Sequence, residues 1–358
     1  MTELRFEDRV ALVTGGGRGL GRAYAQMLAA RGAKVVVNDI GASVSGEGSD
    51  ATPAEEVVAE IEAAGGDAIA SSHSVASIEG SEAMVASAVA RFGRIDIVVH
   101  SAGIVVYSKF PEVDLDDYQR HLDIHLIGSF NVARAAWPWM ARQRYGRVVM
   151  TASSAILGVS ELVSYASAKA GVVGLARSLA AAGADSDIKV NIVSPHAITR
   201  MWTEGIPRAA SEQSSNGAGS SAPLRDSTSE STLEQVAGPS SPESMPKPIA
   251  GPSSPESMPK PIAGPSSQSS PESTPEQVAP LVAFLCHESC PVTGEMYRSA
   301  MGRVSHMFIA ETPGLFVSSP EEIARNLEGI HDERGYFVPA DSAALNDKAT
   351  ELARAAGL

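Results

Sequence analysis

Cysteine is nearly absent from these 358 residues: Cys286 and Cys290 are the only two, and they share the run CHESC. Two thiols and one intervening histidine are too small a donor set for a structural zinc. No metal site is expected, and the thiols should pack against a helix under reducing conditions. Long apolar runs are missing too. Nothing nears the roughly 20 apolar residues that cross a bilayer, and the opening MTELRFEDR has no apolar targeting core, so a cytoplasmic chain with no membrane partner is expected. Positive charge is in short supply: 28 Lys and Arg against 42 Asp and Glu leave a formal charge of −14. Such a field repels phosphate backbones, which excludes nucleic acid as the main partner and leaves room for a small anion at a local site. Aromatics make up only 5%, yet hydrophobic residues reach 44%, ample for a packed core at this length.

What is present is an alternation. Short β-branched runs (RVALVT, KVVVND, AIASS, IDIVVHSAG, GRVVMTAS and KVNIVSP) are separated by helical patterns at 19–31, 53–64, 77–92, 115–142 and 164–184. Strand–helix alternation predicts βαβ units around a parallel sheet, and strands apolar almost throughout predict helices on both faces. The fold class is therefore α/β, a Rossmann-type doubly wound sheet, with the dinucleotide-binding and catalytic core in residues 1–204.

From about Gly205 to Thr274 the composition turns to Ser, Pro, Gly and Glu. It offers too little apolar surface to offset the entropy of ordering, so most of this insertion is expected to be disordered. Within it a 13-residue unit, AGPSSPESMPKPI, stands twice in succession from Ala237. STLEQVA at 231–237 and STPEQVA at 273–279 flank the repeat as two versions of one helix start, which marks a tandem duplication. A helical pattern resumes at PEQVAPLVAFLCHES and a last strand, GEMYRSA, follows. Residues 275–300 thus return to the core, and 301–358 form a C-terminal extension.

Two constellations carry chemistry. The first strand runs into Thr14-Gly-Gly-Gly-Arg-Gly-Leu-Gly21 and then a helix. Glycines let backbone approach a pyrophosphate, and a helix N-terminus turns unpaired N–H groups and a positive dipole end toward it. The second strand ends at Asp39, about 20 residues on, where a carboxylate binds ribose hydroxyls and repels a 2′-phosphate. NAD is favoured over NADP, although Arg18 inside the turn pulls the other way. The second constellation is Tyr165-Ala-Ser-Ala-Lys169, with a phenol and an ammonium on one helix face. A cation beside a phenol lowers its pKa from about 10 toward working pH, making a general acid/base for a hydroxyl or carbonyl.

Together the glycine turn, Asp39, the strand end His100-Ser-Ala-Gly103, Ser153, Tyr165 and Lys169 resemble the short-chain dehydrogenase/reductase family. VVVNDIGASVSGEG, HLIGSFNVARAAW, RYGRVVMTASS and VAPLVAFLCHESC are similar, more narrowly, to the (3R)-hydroxyacyl-CoA dehydrogenase domains of peroxisomal multifunctional enzymes type 2. The resemblance implies hydride transfer between a secondary alcohol or ketone and NAD, with a 3-hydroxyacyl-CoA as first substrate and a hydroxysteroid or other bulky alcohol as rival. It implies that Tyr165 takes the substrate proton, Lys169 holds the nicotinamide ribose, and Ser153 binds the reacting oxygen. Gly15, Gly19, Gly21, Ser74, Ser101, Ala102 and Gly103 would line the cofactor, with the backbone of Leu20 and Ile198 on the pyrophosphate and the carboxamide. A homodimer or homotetramer through the helices at 115–142 and 164–184 is implied as well.

Departures from the family pattern are visible. His100-Ser101 replaces Asn-Asn, His73 stands for an adenine-side aspartate, and His125 stands for an asparagine, where it either supplies or interrupts a proton relay beyond Lys169. The stretch from Ser153 to Tyr165 is one residue short, which leaves Ser154 as an alternative partner of the reacting oxygen. The Pro/Ser insertion falls where the family carries its substrate lid. A passive, expanded loop is the expectation, since closure entropy rises slowly with length; a partner-binding arm on a non-catalytic dinucleotide-binding scaffold is the alternative.

Overall fold

The computed structural model describes residues 3–203 and 273–356. Residues 205–272 of the insertion, including the repeat and the helix start at 231, lie outside the described residues, so their expected disorder is not addressed.

Seven parallel strands form the sheet: β1 (Val10–Thr14), β2 (Lys34–Asn38), β3 (Asp67–Ser71), β4 (Ile97–His100), β5 (Gly146–Thr151), β6 (Ile188–His196) and β7 (Met296–Ala300). The first six are the β-branched runs read from the sequence, and β7 is the strand read from GEMYRSA. Side chains alternate between the two faces of a strand, and β1 uses both. Ala11 and Val13 enter one core with Tyr24 and Leu28 of α1 (Gly19–Ala30), Val57 of α2 (Thr52–Ala63) and Leu285 of α8 (Ala279–Cys286). Val10 and Leu12 enter the other, with Met84 of α3 (Ile78–Phe92), Ala136 of α5 (Gly128–Gln143) and Val172 of α6 (Val163–Ala182). A sheet covered twice has no polar face, which is why its strands read as continuous apolar runs. Cys286 and Cys290 are free thiols buried in the first of these cores.

The strand order is β3-β2-β1-β4-β5-β6-β7, with an edge strand β8 (Arg303–Met307) beyond β7. Chain direction across the sheet reverses at β1, where Thr14 pairs with Asn38 of β2 on one side and His100 of β4 on the other. In open α/β sheets that reversal opens a crevice beyond the carboxyl ends of the strands. The glycine turn, Asp39 and Ser101 therefore converge there.

Two elements differ from the sequence reading. The stretch read as one helix over 115–142 is α4 (Leu115–His121), a π-helical turn (Leu122–Ile127) and α5. A π-turn opens the spiral by one residue and is characteristic of functional positions; here it stacks His121 on His125, with ring centroids 5.9 Å apart. An eighth strand, β8 (Arg303–Met307), returns antiparallel to β7, so the sheet continues past residue 300. The turn between them places Met301 at φ 51° and Gly302 at φ 75°, the left-handed pair that a tight hairpin requires. Among the described residues, no helix is long and apolar enough to cross a membrane.

Candidate active site

The crevice is built from the glycine turn outward. Beyond β1, Gly21 must pass so close to the turn that a Cβ there would sit 2.0 Å from the Gly15 carbonyl oxygen. Helix α1 then starts with no side-chain cap and no carboxylate in its first turn. By contrast, Ser77 and Asp114 cap α3 and α4. Its first N–H groups and positive dipole end therefore face the crevice, a chemistry that suits a pyrophosphate. Asp39 closes the far side: Oδ2 accepts from Gly17 N at 3.0 Å and Oδ1 from Gly41 N at 2.7 Å. Arg18 lies alongside, its guanidinium 3.4 Å from the Ala42 carbonyl.

Gly15, Arg18, Gly19, Leu20, Gly21, Asp39, Ser74, Ser101, Ala102 and Gly103 all line one cavity of about 550 Å³. His73 lines it as well, at the position where an aspartate was expected. The cavity volume, the uncapped helix start and the Asp39 carboxylate together fit a nicotinamide dinucleotide. Sequence reasoning missed Asn38, Thr199 and Met201, which share this lining. Asn38 had a signal: it ends β2 directly before Asp39, and its amide nitrogen donates to the Ser71 and His73 carbonyls at 3.1 and 2.9 Å. Ile198 stands outside the lining, and its N–H already donates to the Ser273 carbonyl at 2.6 Å.

Tyr165 and Lys169 project from the first two turns of α6 toward the end of β5. The Lys169 ammonium donates to the Thr151 carbonyl at 2.6 Å and stands 5.6 Å from the centre of the Tyr165 ring. Ser153, just past β5, hydrogen-bonds the Tyr165 hydroxyl and also accepts from Ala155 N at 3.1 Å. The structure thus brings Ser153, not Ser154, to the phenol. Beneath Tyr165 lie the edges of two imidazoles, His125 at 5.2 Å and His121 at 6.4 Å between ring centres.

The titration behaviour of the pair differs from the sequence expectation. Burial pushes the Tyr165 phenol up to about 12, against the opposing hydrogen bond from Ser153. Burial also pushes Lys169 down to about 7. A cation was expected to lower the phenol, but here the Lys169 charge is aimed at the Thr151 carbonyl and desolvation of both groups outweighs it.

Two buried histidines of the site, His100 and His125, are neutral at pH 7. His100 is driven down to about 3, first by burial and then by the charge of Lys169, and His125 is held well below the ordinary value by the same two causes. His125 Nε2 lies 2.9 Å from the Ile104 carbonyl, while Nδ1 is buried with no hydrogen-bond partner. In the unfolded chain both imidazoles take up a proton near pH 6.5, and in the folded chain they do not. Acid therefore favours unfolding: this part of the stability is full above about pH 6.5 and lost as pH falls below it. Denaturation by urea should show lower stability at pH 5 than at pH 7, by about 2 kcal/mol for His100, and His125→Asn should remove its own share of the difference. Equal pH dependence in the variant and the wild type would contradict this.

With the site described, its relatives can be placed. Residues 9–208 match the short chain dehydrogenase family, and the chain belongs to that family. It is therefore an oxidoreductase, as the motifs implied. Over 336 residues it is 36% identical to peroxisomal multifunctional enzyme type 2 of Mus musculus, covering 92% of this chain and 37% of that protein. The full-length structure of the Drosophila melanogaster peroxisomal multifunctional enzyme type 2 superposes with a TM-score of 0.67 at 26% identity, over 98% of this chain and 50% of that one. A 7α-hydroxysteroid dehydrogenase complexed with NADH and 7-oxo glycochenodeoxycholic acid superposes with a TM-score of 0.53 at 29% identity, over 58% of this chain and 80% of that one. The chain thus spans half or less of the multifunctional enzymes it resembles.

Proposed function

We propose that the chain interconverts a 3-hydroxyacyl-CoA and its 3-oxo ester, with NAD as the nucleotide partner. Two arrangements carry this reading: Tyr165, Ser153 and Lys169 held together at the end of β5, and a dinucleotide-sized cavity bounded by Asp39, whose lining residues Val44 and Met201 pack in the apolar cluster that includes Tyr165. NAD over NADP is supported by the Asp39 carboxylate, fixed by two backbone N–H groups where a 2′-phosphate would lie. The acyl ester is supported by similarity over nearly the whole chain to a multifunctional enzyme. It is supported also by an apolar wall in which Val105, Ala155 and Leu162 pack with Val44, Tyr107 and Met201 around Tyr165. The hydroxysteroid reading keeps a specific observation of its own, the 29% identity to a steroid dehydrogenase.

When bound, the nicotinamide supplies the two-electron acceptor. Each other step belongs to the chain. Ser153 donates its hydroxyl proton to the reacting oxygen and orients it, while Tyr165 takes the hydroxyl proton in oxidation and returns it in reduction. Lys169, anchored on Thr151, holds the nicotinamide ribose, and the surrounding apolar wall excludes water. The glycine turn and the start of α1 hold the pyrophosphate, and Leu20 N belongs to that group of donors. Association into a homodimer through the outer faces of α5 and α6 fits the same reading; Phe130 of α5 and Ile127 of the π-turn before it are exposed, at 43% and 42%.

The test is oxidation of a panel of (3R)- and (3S)-hydroxyacyl-CoAs and hydroxysteroids with NAD⁺ or NADP⁺. Turnover with a 3-hydroxyacyl-CoA and NAD⁺ is expected, and Asp39→Ser should lower the preference for NAD⁺ by about tenfold to a hundredfold, the size of a removed charge repulsion. Turnover with hydroxysteroids alone would move the assignment to the rival substrate, and an unchanged preference in the variant would remove Asp39 from cofactor choice.

A further inference from the structure

We infer that His100 is a positioning residue that ties the glycine turn to the π-turn beneath Tyr165. Its ring lies wholly inside the protein, 1% exposed, and both of its nitrogens are engaged. The partners decide the tautomer. Thr14 Oγ1 accepts from Ser101 N and Ala102 N, each at 3.2 Å, so its single proton is free for a third group. That group is His100 Nδ1, 3.1 Å away, which must then be the unprotonated nitrogen. The ring proton is left on Nε2, and it faces the Ile124 carbonyl at 3.2 Å, a group that can only accept. The neutral imidazole satisfies both contacts at once; an imidazolium would set a donor at Nδ1 against the Thr14 proton.

These contacts reach the whole site. Ile124 belongs to the π-turn and directly precedes His125, whose ring meets Tyr165 edge to face. The His100 carbonyl accepts from the Thr151 hydroxyl at 2.8 Å, and the Thr151 carbonyl in turn accepts from Lys169 Nζ. One buried residue thus holds the turn before α1, the π-turn that carries His125 and the strand end that anchors Lys169. A displacement at any of the three reaches the other two without crossing solvent. The ends of the imidazole can be separated chemically. Asparagine places its Oδ1 where Nδ1 stands but stops one atom short of Nε2; glutamine places an amide nitrogen where Nε2 stands and leaves no atom where Nδ1 stands.

The experiment uses the full chain with H100N and H100Q, read by backbone hydrogen exchange, NAD⁺ affinity and kinetics. With H100N, exchange in residues 120–129 should rise about tenfold, the equivalent of one buried hydrogen bond. Its kcat should fall by a similar factor while Kd for NAD⁺ stays within about twofold. With H100Q the π-turn should keep its protection while Kd for NAD⁺ rises about tenfold. Unchanged exchange in 120–129 with H100N overturns the inference, and so does an equal rise across the entire sheet, which a merely structural role would give. The kinetic and NAD⁺ arms rest on the proposed function, whereas the exchange arm does not. A wild type silent toward every substrate would count against that function, and the exchange arm would still decide the role of His100.

Discussion

Tyr165→Phe is expected to lower kcat by about 10³-fold, within the range of a lost general acid/base, and to leave NAD⁺ affinity within a factor of about two. The change removes one oxygen. The ring that packs edge to face on His125 and His121 stays, so the wall of the site stays with it. What is lost is the hydroxyl bonded to Ser153, which is the group positioned to exchange a proton with the substrate oxygen. Because the phenol is pushed up to about 12 in the unliganded protein, it stands protonated at neutral pH, the state that donates to a ketone. Alcohol oxidation needs the other state, so its rate should climb with pH where ketone reduction does not. Calorimetric binding of NAD⁺ beside steady-state kinetics checks both halves. Retained turnover in the variant would remove Tyr165 from the chemistry, and lost NAD⁺ binding would make its role one of cofactor support.

Gly21→Ala is expected to abolish cofactor binding rather than chemistry. A Cβ at this position would lie 2.0 Å from the Gly15 oxygen and 3.1 Å from the Gly16 Cα, both backbone atoms of the turn itself. Neither can rotate away as a side chain would, so the turn must open or α1 must shift. Stability should drop by about 2 kcal/mol and Kd for NAD⁺ should rise at least about a hundredfold. Gly174, on the exposed side of α6, is the control: nothing lies within 4 Å of a Cβ there. Alanine should stabilise that helix by about 0.5–1 kcal/mol. Thermal melting of the two variants would then move in opposite directions, and NAD⁺ titration would change in Gly21→Ala alone. A Gly21→Ala protein that binds NAD⁺ normally would show that the tight turn is not the phosphate site.

The sheet was legible because its signal is local. A short β-branched run flanked by glycine turns and helical patterns is written in adjacent positions, and six of the seven parallel strands were found that way; β7 was read from GEMYRSA after the last helical pattern. β8 was not, because RVSHM is half polar and its burial is low on an edge strand; the Met301-Gly302 turn was its one local mark. The π-turn was invisible for a different reason. Its six residues carry an ordinary helical pattern, and the widened spiral arises where His121 and His125 pack against Tyr165, a contact 40 residues or more away in sequence. Motif spacing likewise brought Tyr165 and Lys169 to one helix face, but not the burial that drives their pKa values apart. Ile198 shows the same limit: only the folded chain reveals that its N–H is engaged by Ser273.

The most direct test of the account is to follow the hydrogen that leaves the substrate. A (3R)-hydroxyacyl-CoA deuterated at C3 is incubated with the full chain and NAD⁺, and the reduced dinucleotide is recovered for mass spectrometry. The account predicts one deuterium in that product, carried directly from C3, and its disappearance together with turnover in Tyr165→Phe. Unlabelled reduced dinucleotide, or bound NAD⁺ with no transfer from any secondary alcohol, would contradict it.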